Sequence, residues 1–219
     1  MTKAKRNIFR WCSGHFGRVV LFVSITGIGL FGQSVPQIEF SAGYSYMDFH
    51  ANVPQLTSNS FNGAEGAVVF NAVSWLGIKA EVTGWSFGSG WTRRLQELGY
   101  TGPSSTNMFT YQFGPQIKKH SGILQPFAHT LYGVAHSSGY AAVLRAKGNG
   151  TFVLTPNGGN ENAFAMELGG GIDIPVSRSV QFRPVELDYQ LTRFGFQNFS
   201  ANQSNFKYFG GVNFIFGQK

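Results

Sequence analysis

Seven charged residues interrupt otherwise apolar or small-residue segments at positions that share one phase: Glu39, Glu65, Lys79, Glu81, Glu167, Asp188 and Lys207. If the fold brings them into one confined interior, carboxylates and ammonium groups there either pair, hold water or pass small cations. Three readings follow: a structural network filling a closed interior, a charged path through a narrow channel, or a ligand or catalytic site. The structural network is the favoured one, because no catalytic set stands out. The acidic excess means that any permeation would favour cations. Some of the glutamates can be neutral in such surroundings.

His129 is the most tempting catalytic group, since Asp188 can lie beside it inside the molecule; its plainer role is a satisfied interior histidine. His136-Ser137-Ser138 is a weaker candidate. His50, His120, His129 and His136 are scattered, with no metal-ligand spacing, and no metal or cofactor is expected. Gly169-Gly170-Gly171 makes no phosphate loop, because it lies inside a strand, where glycine allows bending or close approach.

The elements that position these residues are strands. Along Gln37–Phe49, Ile38, Phe40, Ala42, Tyr44 and Tyr46 alternate with Glu39, Ser41, Gly43 and Ser45. Trp75–Phe87 sets Leu76, Ile78, Ala80 and Val82 against Lys79, Glu81, Thr83 and Trp85. A fourth segment sets Phe109, Tyr111, Phe113 and Ile117 against Thr110, Gln112 and Gly114. Asn205–Phe216 sets Phe206, Tyr208, Val212, Phe214 and Phe216 against Lys207, Gly211 and Asn213. Period two arises because successive Cβ atoms point to opposite sides of a strand. Asn62–Asn71, Leu124–His136, Asn162–Ile174 and Val180–Phe194 alternate less cleanly. Glu167 and Asp173 share a face in the third of these, and Glu186, Asp188 and Gln190 in the fourth. The facing of Leu124–His136 is ambiguous. Arg183 and Glu186 have opposite parity across Pro184, which cannot donate to a ladder, so a bulge is expected there.

Connections alternate in length. Asn71–Trp75, Lys118–Ile123 and Pro175–Ser179 are tight, whereas His50–Phe61, Gly88–Thr106, Ser137–Glu161 and Gly195–Ser204 are longer and polar. Eight strands of about 10 residues with short turns at one end and long loops at the other are the layout of an outer-membrane barrel.

The front of the chain belongs to export. Lys3, Lys5, Arg6, Arg10 and Arg18 precede an apolar run, Val19–Phe31, that ends in Gly32-Gln33-Ser34. That is a secretory signal peptide over 1–34, leaving 35–219 as the barrel domain. The formal charge of the chain is +7, but the leader carries five of its 17 basic residues and none of its 10 acidic ones. Residues 35–219 are therefore close to neutral and give no warrant for nucleic-acid binding. Cys12, the single cysteine, also lies in the leader, so neither disulfides nor thiol chemistry are expected beyond it.

Parity alone does not say which face is inside. Strands of this length match a tilted membrane crossing. Tyr44, Tyr46, Phe70, Phe113, Tyr189, Phe214 and Phe216 suit aromatic belts near strand ends. Glycine and serine on the polar face leave room for long charged neighbours in a narrow lumen. The expected fold is thus all-β: an eight-stranded antiparallel transmembrane up-and-down barrel with apolar residues facing lipid, short periplasmic turns and longer outer loops.

Residues 36–219 resemble the OmpA-like family of small outer-membrane barrels, in Phe40-Ser-Ala-Gly-Tyr-Ser-Tyr, Trp75-Leu-Gly-Ile-Lys-Ala-Glu, Phe127-Ala-His and Leu187-Asp-Tyr-Gln-Leu-Thr-Arg-Phe. The terminal Gly211-Val-Asn-Phe-Ile-Phe216 resembles the signal read by barrel assembly machinery, with Gly211, Phe214 and Phe216 as its residues; Gly217-Gln218-Lys219 after the last aromatic departs from it. The resemblance implies a location in the outer membrane of a Gram-negative bacterium, with outer-membrane lipid, lipopolysaccharide and the assembly machinery as partners. It includes lipid A deacylases with His and Ser on the outer wall, but Phe127-Ala-His-Thr lacks the serine. A non-enzymatic monomer is expected, with outer loops open to an unidentified surface ligand. Trp85, Phe87, Trp91 and Tyr100 near the second outer loop are candidates for contact with headgroups or a partner.

Overall fold

The computed structural model of the chain describes residues 36–49, 59–86, 93, 107–137, 161–196 and 199–218. They form eight strands: β1 (Pro36–Phe49), β2 (Asn59–Val73), β3 (Leu76–Ser86), β4 (Asn107–Lys118), β5 (Gln125–Ser137), β6 (Glu161–Pro175), β7 (Val180–Phe196) and β8 (Phe199–Gln218). Each strand pairs antiparallel with the next, and β8 returns to β1, so the sheet is a closed barrel. Closure is what allows a sheet to stand in lipid, since every ladder N–H and C=O finds a partner and no edge remains. At the seam, Gly43 faces Gly211. A Cβ on Gly43 would come within 2.3 Å of the Gly210 carbonyl oxygen, so the two walls meet there only because neither residue has a side chain. Among the described residues no helix is long and apolar enough to cross a membrane.

The alternation is inverted relative to a soluble barrel. Outward side chains are apolar and open: Phe113 is 66% exposed and Leu168 55%. Inward ones are polar and shut away: Lys79, Glu167, Glu186 and Asp188 are at 0%. Water would penalise such a wall, whereas hydrocarbon favours it, which makes this a transmembrane barrel. Tyr44, Tyr46, Phe70, Tyr189, Phe214 and Phe216 lie on that wall, but Phe113 sits at mid-strand beside Ala80 and Tyr132 rather than near an end.

Three local differences from the sequence reading have physical causes. In β5 the inward residues include Phe127, His129, Leu131 and Ala135. Their facing was ambiguous because this stretch of lumen accepts apolar groups: the Phe127 ring lies 4.2 Å beneath the Arg183 guanidinium and stacks on the His129 ring. Gly195–Ser204 is not a long loop, since β7 and β8 stay paired as far as Phe196 and Phe199. Apolar alternation fades there, yet the ladder continues with Thr192 donating to Gln203 across the lumen face. Lys118, read as part of a turn, closes β4 and points inward. The expected irregularity at Pro184 is present as a register shift between Arg183 and Glu186, which lets both side chains face inward. The carbonyl of Pro184, freed by that shift, accepts a hydrogen bond from Tyr208 Oη at 2.7 Å.

Candidate functional site: the charged lumen

Among the described residues, seven carboxylates are buried in the lumen: Glu39, Glu65, Glu81, Glu167, Asp173, Glu186 and Asp188. They face four permanent cations, Lys79, Lys118, Arg183 and Lys207, with His129 among them. All seven charged residues singled out from the sequence are in this set. Parity placed them, and it put Asp173 and Glu186 on the faces of Glu167 and Asp188; what it did not provide was Lys118 and Arg183 as members.

Toward the turn end, Lys118 Nζ donates to Glu39 Oε2 at 2.5 Å, Asp173 Oδ2 at 2.7 Å and Gln181 Oε1 at 2.9 Å. These acceptors lie 79, 55 and 63 residues away in the chain, so only closure of the barrel assembles the group. Glu39 also accepts from Asn71 Nδ2 at 2.8 Å and Asn213 Nδ2 at 2.6 Å. His120, in the turn after β4, bridges Glu39 Oε1 at 2.9 Å and the Ser74 carbonyl at 2.8 Å, tying two turns to the lumen floor. Arg183 connects this floor to the middle of the barrel. Its Nε and Nη2 grip both oxygens of Asp173 at 2.7 and 2.9 Å, while Nη1 donates to Glu186 Oε2 at 2.7 Å.

Two ammonium groups organise the middle. Lys79 Nζ lies 2.6 Å from Glu186 Oε1 and 2.7 Å from Glu81 Oε2. Lys207 Nζ lies 2.6 Å from Glu81 Oε1, 2.8 Å from Glu65 Oε2, 2.9 Å from Glu167 Oε1 and 3.4 Å from Asp188 Oδ2. His129 Nε2 is 3.2 Å from Asp188 Oδ1 and 3.3 Å from Glu167 Oε1. The juxtaposition of His129 and Asp188 weighed from sequence is therefore real, but the imidazole is embedded in a charge network. Asp188 fits because its cross-strand neighbour is Gly169: a Cβ there would sit 1.8 Å from Asp188 Oδ1.

Above the ions, toward the loop end, Met47, Phe61, Trp85 and Met108 are each at most 1% exposed. Met47 faces Phe61 across β1–β2, and Trp85 faces Met108 across β3–β4. Trp85 thus lies inside the lumen instead of reaching headgroups or a partner; Phe87, Trp91 and Tyr100 lie outside the described residues. His136 is on the outer wall, with Nδ1 2.7 Å from Asn162 Oδ1, while Ser137 points into the lumen. Adjacent residues on a strand face opposite ways, so this histidine and Ser137 do not share a surface; Ser138 and His50 lie outside the described residues. Of the terminal-strand residues, Phe214 and Phe216 face outward and Gly211 inward.

The closed eight-stranded barrel has solved counterparts. Neisserial surface protein A superposes with a TM-score of 0.55 at 11% identity, covering 82% of this chain and 97% of that one. Ail, the attachment invasion locus protein of Yersinia pestis, gives 0.50 at 10% identity, covering 83% and 99%. The fold is that of the small outer-membrane barrels. A second Ail structure, in complex with the heparin analogue sucrose octasulfate, gives 0.50 at 9% identity over 83% and 99%. No protein-family model and no curated protein matches the sequence.

Proposed function

We propose that residues 1–34 direct export, that residues 35–219 reside in the outer membrane of a Gram-negative bacterium as a monomer, and that the barrel is a plugged scaffold for surface interaction. Burial of the entire ion network carries this reading. Eight strands enclose a bore that side chains can fill, and here they do so in three successive tiers: the Lys118 floor, the Lys79–Lys207 middle and the apolar Trp85 tier. With the interior committed to structure, contact with other molecules falls to the loops. Segments 50–58, 87–106 and 138–160 contain Arg93, Arg94, Arg145 and Lys147 against a single acid, Glu97. Basic loops favour anionic groups such as lipopolysaccharide phosphates or sulfated glycans. That the Ail barrel was solved with a sulfated saccharide supports this choice of ligand chemistry.

The test is retention of the folded protein, in nanodiscs, on immobilised heparin and on lipopolysaccharide-coated surfaces. Retention should fall steeply when Arg93, Arg94, Arg145 and Lys147 are changed together to Gln, with the heat-modifiable gel shift of a folded barrel intact. Equal retention of both proteins would refute the role of the loops. Recovery of the chain in the soluble periplasmic fraction would refute the location.

A narrow cation-leaning pore is the second reading, favoured by one observation: carboxylates outnumber cations in the lumen. Hydrolysis of lipid A is the third, to be tested by analysing lipid A after expression.

A further inference from the structure

We propose that the lumen holds one divalent transition-metal cation between His129, Glu186 and Asp188. One imidazole nitrogen and one carboxylate oxygen from each of the two acids lie within 4.8 Å of one another, and all three residues are buried. Ligands sharing a tetrahedral ion at about 2.0–2.1 Å stand roughly 3.3 Å apart, and His129 Nε2 is already 3.2 Å from Asp188 Oδ1. Glu167 Oε1, 3.3 Å from the same nitrogen, supplies a fourth donor. Nitrogen with carboxylate oxygen is the donor set of zinc, iron(II) or manganese rather than of calcium or magnesium.

Two further observations point to a ligand here. Asp188 is starved of hydrogen-bond donors. An ammonium has three protons to give, and Lys207 directs its three to Glu81, Glu65 and Glu167. Both Asp188 oxygens are left without a hydrogen bond in a residue that is 0% exposed. Beside them, Gln116 is paired directly with His129 across β4–β5 and projects into the same lumen. It is 1% exposed, and neither its amide nitrogen nor its oxygen has a partner. Unpartnered polar groups this deep are costly, and those of Asp188 and Gln116, on the strands that flank or face His129, are free to take a guest.

Charge agrees. Around the site stand Glu65, Glu81, Glu167, Glu186 and Asp188, against Lys79, Lys207 and an Arg183 fork shared with Asp173. Carboxylates outnumber the permanent cations around the site, an excess of negative charge that a bound dication would reduce.

The protein, refolded from urea into detergent with Co²⁺ present so that entry is not limiting, should retain one equivalent after dialysis. It should show visible absorption of a low-symmetry cobalt site, and Zn²⁺ should displace the Co²⁺. Asp188→Asn and His129→Gln should each weaken retention at least about tenfold, the order of loss seen when metal-site partners are removed. His136→Gln on the outer wall should leave retention unchanged. Folded unaltered protein that retains no cobalt overturns the site and assigns neutralisation to protons alone. Retention undiminished in folded Asp188→Asn overturns it as well. Conductance is read separately, so the metal site and the closed lumen can fail independently.

Discussion

Lys207 shows how much one side chain carries when its charge is buried. Its ammonium is within 3.4 Å of four carboxylates, from β2, β3, β6 and β7. Removing one partner of a buried ion pair costs about 3–5 kcal/mol, because the surviving charges lose compensation without regaining water. Lys207→Met should therefore lower the urea midpoint of the refolded barrel far more than Glu65→Gln, which removes one of several surplus negative charges. Equal midpoints would show that the ion pairs are incidental. Gly169→Val is the steric counterpart. Its Cβ would collide with Asp188 Oδ1 at 1.8 Å and with the Leu187 carbonyl oxygen at 2.6 Å. Backbone has to move, at a cost of about 1–3 kcal/mol, and the variant should refold in lower yield than Gly66→Val, whose Cβ meets nothing closer than 3.9 Å.

At the scale of strands, facing is the testable quantity. Val68 lies on the outer wall at 44% exposure and Glu65 in the lumen at 3%. Val68→Arg places a cation against hydrocarbon at about 2–4 kcal/mol near the midplane and should reduce folding yield in bilayers, while Glu65→Gln folds normally; matching yields would reverse the assigned faces. This facing was legible in the sequence wherever one face was uniformly apolar, as in β1, β3, β4 and β8. The strand β5 was legible but its facing was not, because Phe127 and Leu131 are apolar yet inward. Arg183 was hidden by a different cause: the shift at Pro184 changes parity, so period two alone assigns it outward. Lys118 was hidden by its place next to a turn, and its partners lie dozens of residues away. A one-dimensional pattern supplies the face of a residue but not its cross-lumen neighbour. The pairing of Lys207 with Glu65, 142 residues apart, exists only once the barrel closes. The Tyr208 hydroxyl over Pro184 was equally invisible beforehand. Because that bond satisfies a carbonyl on the lipid side, Tyr208→Phe should destabilise the barrel by about 1–3 kcal/mol, measurable as a shift in the unfolding midpoint.

For the whole molecule, the central claim is that the interior is filled. In that reading the ion network ties both sides of the bore together, and Phe61, Trp85, Met47 and Met108, each at most 1% exposed, fill the space above it. Each of the four buried cations lies against two or more carboxylates, so opening the bore would separate charges that are costly to leave unpaired. Single-channel recording of the refolded protein in planar bilayers reads this directly. The unaltered protein should show no steady conductance, with any openings brief, small and selective for cations. Lys79→Gln, which takes one of two cationic partners from both Glu81 and Glu186, should open more often or lose stability. A large, persistently open conductance in the unaltered protein would contradict the filled lumen and make the barrel a diffusion pore.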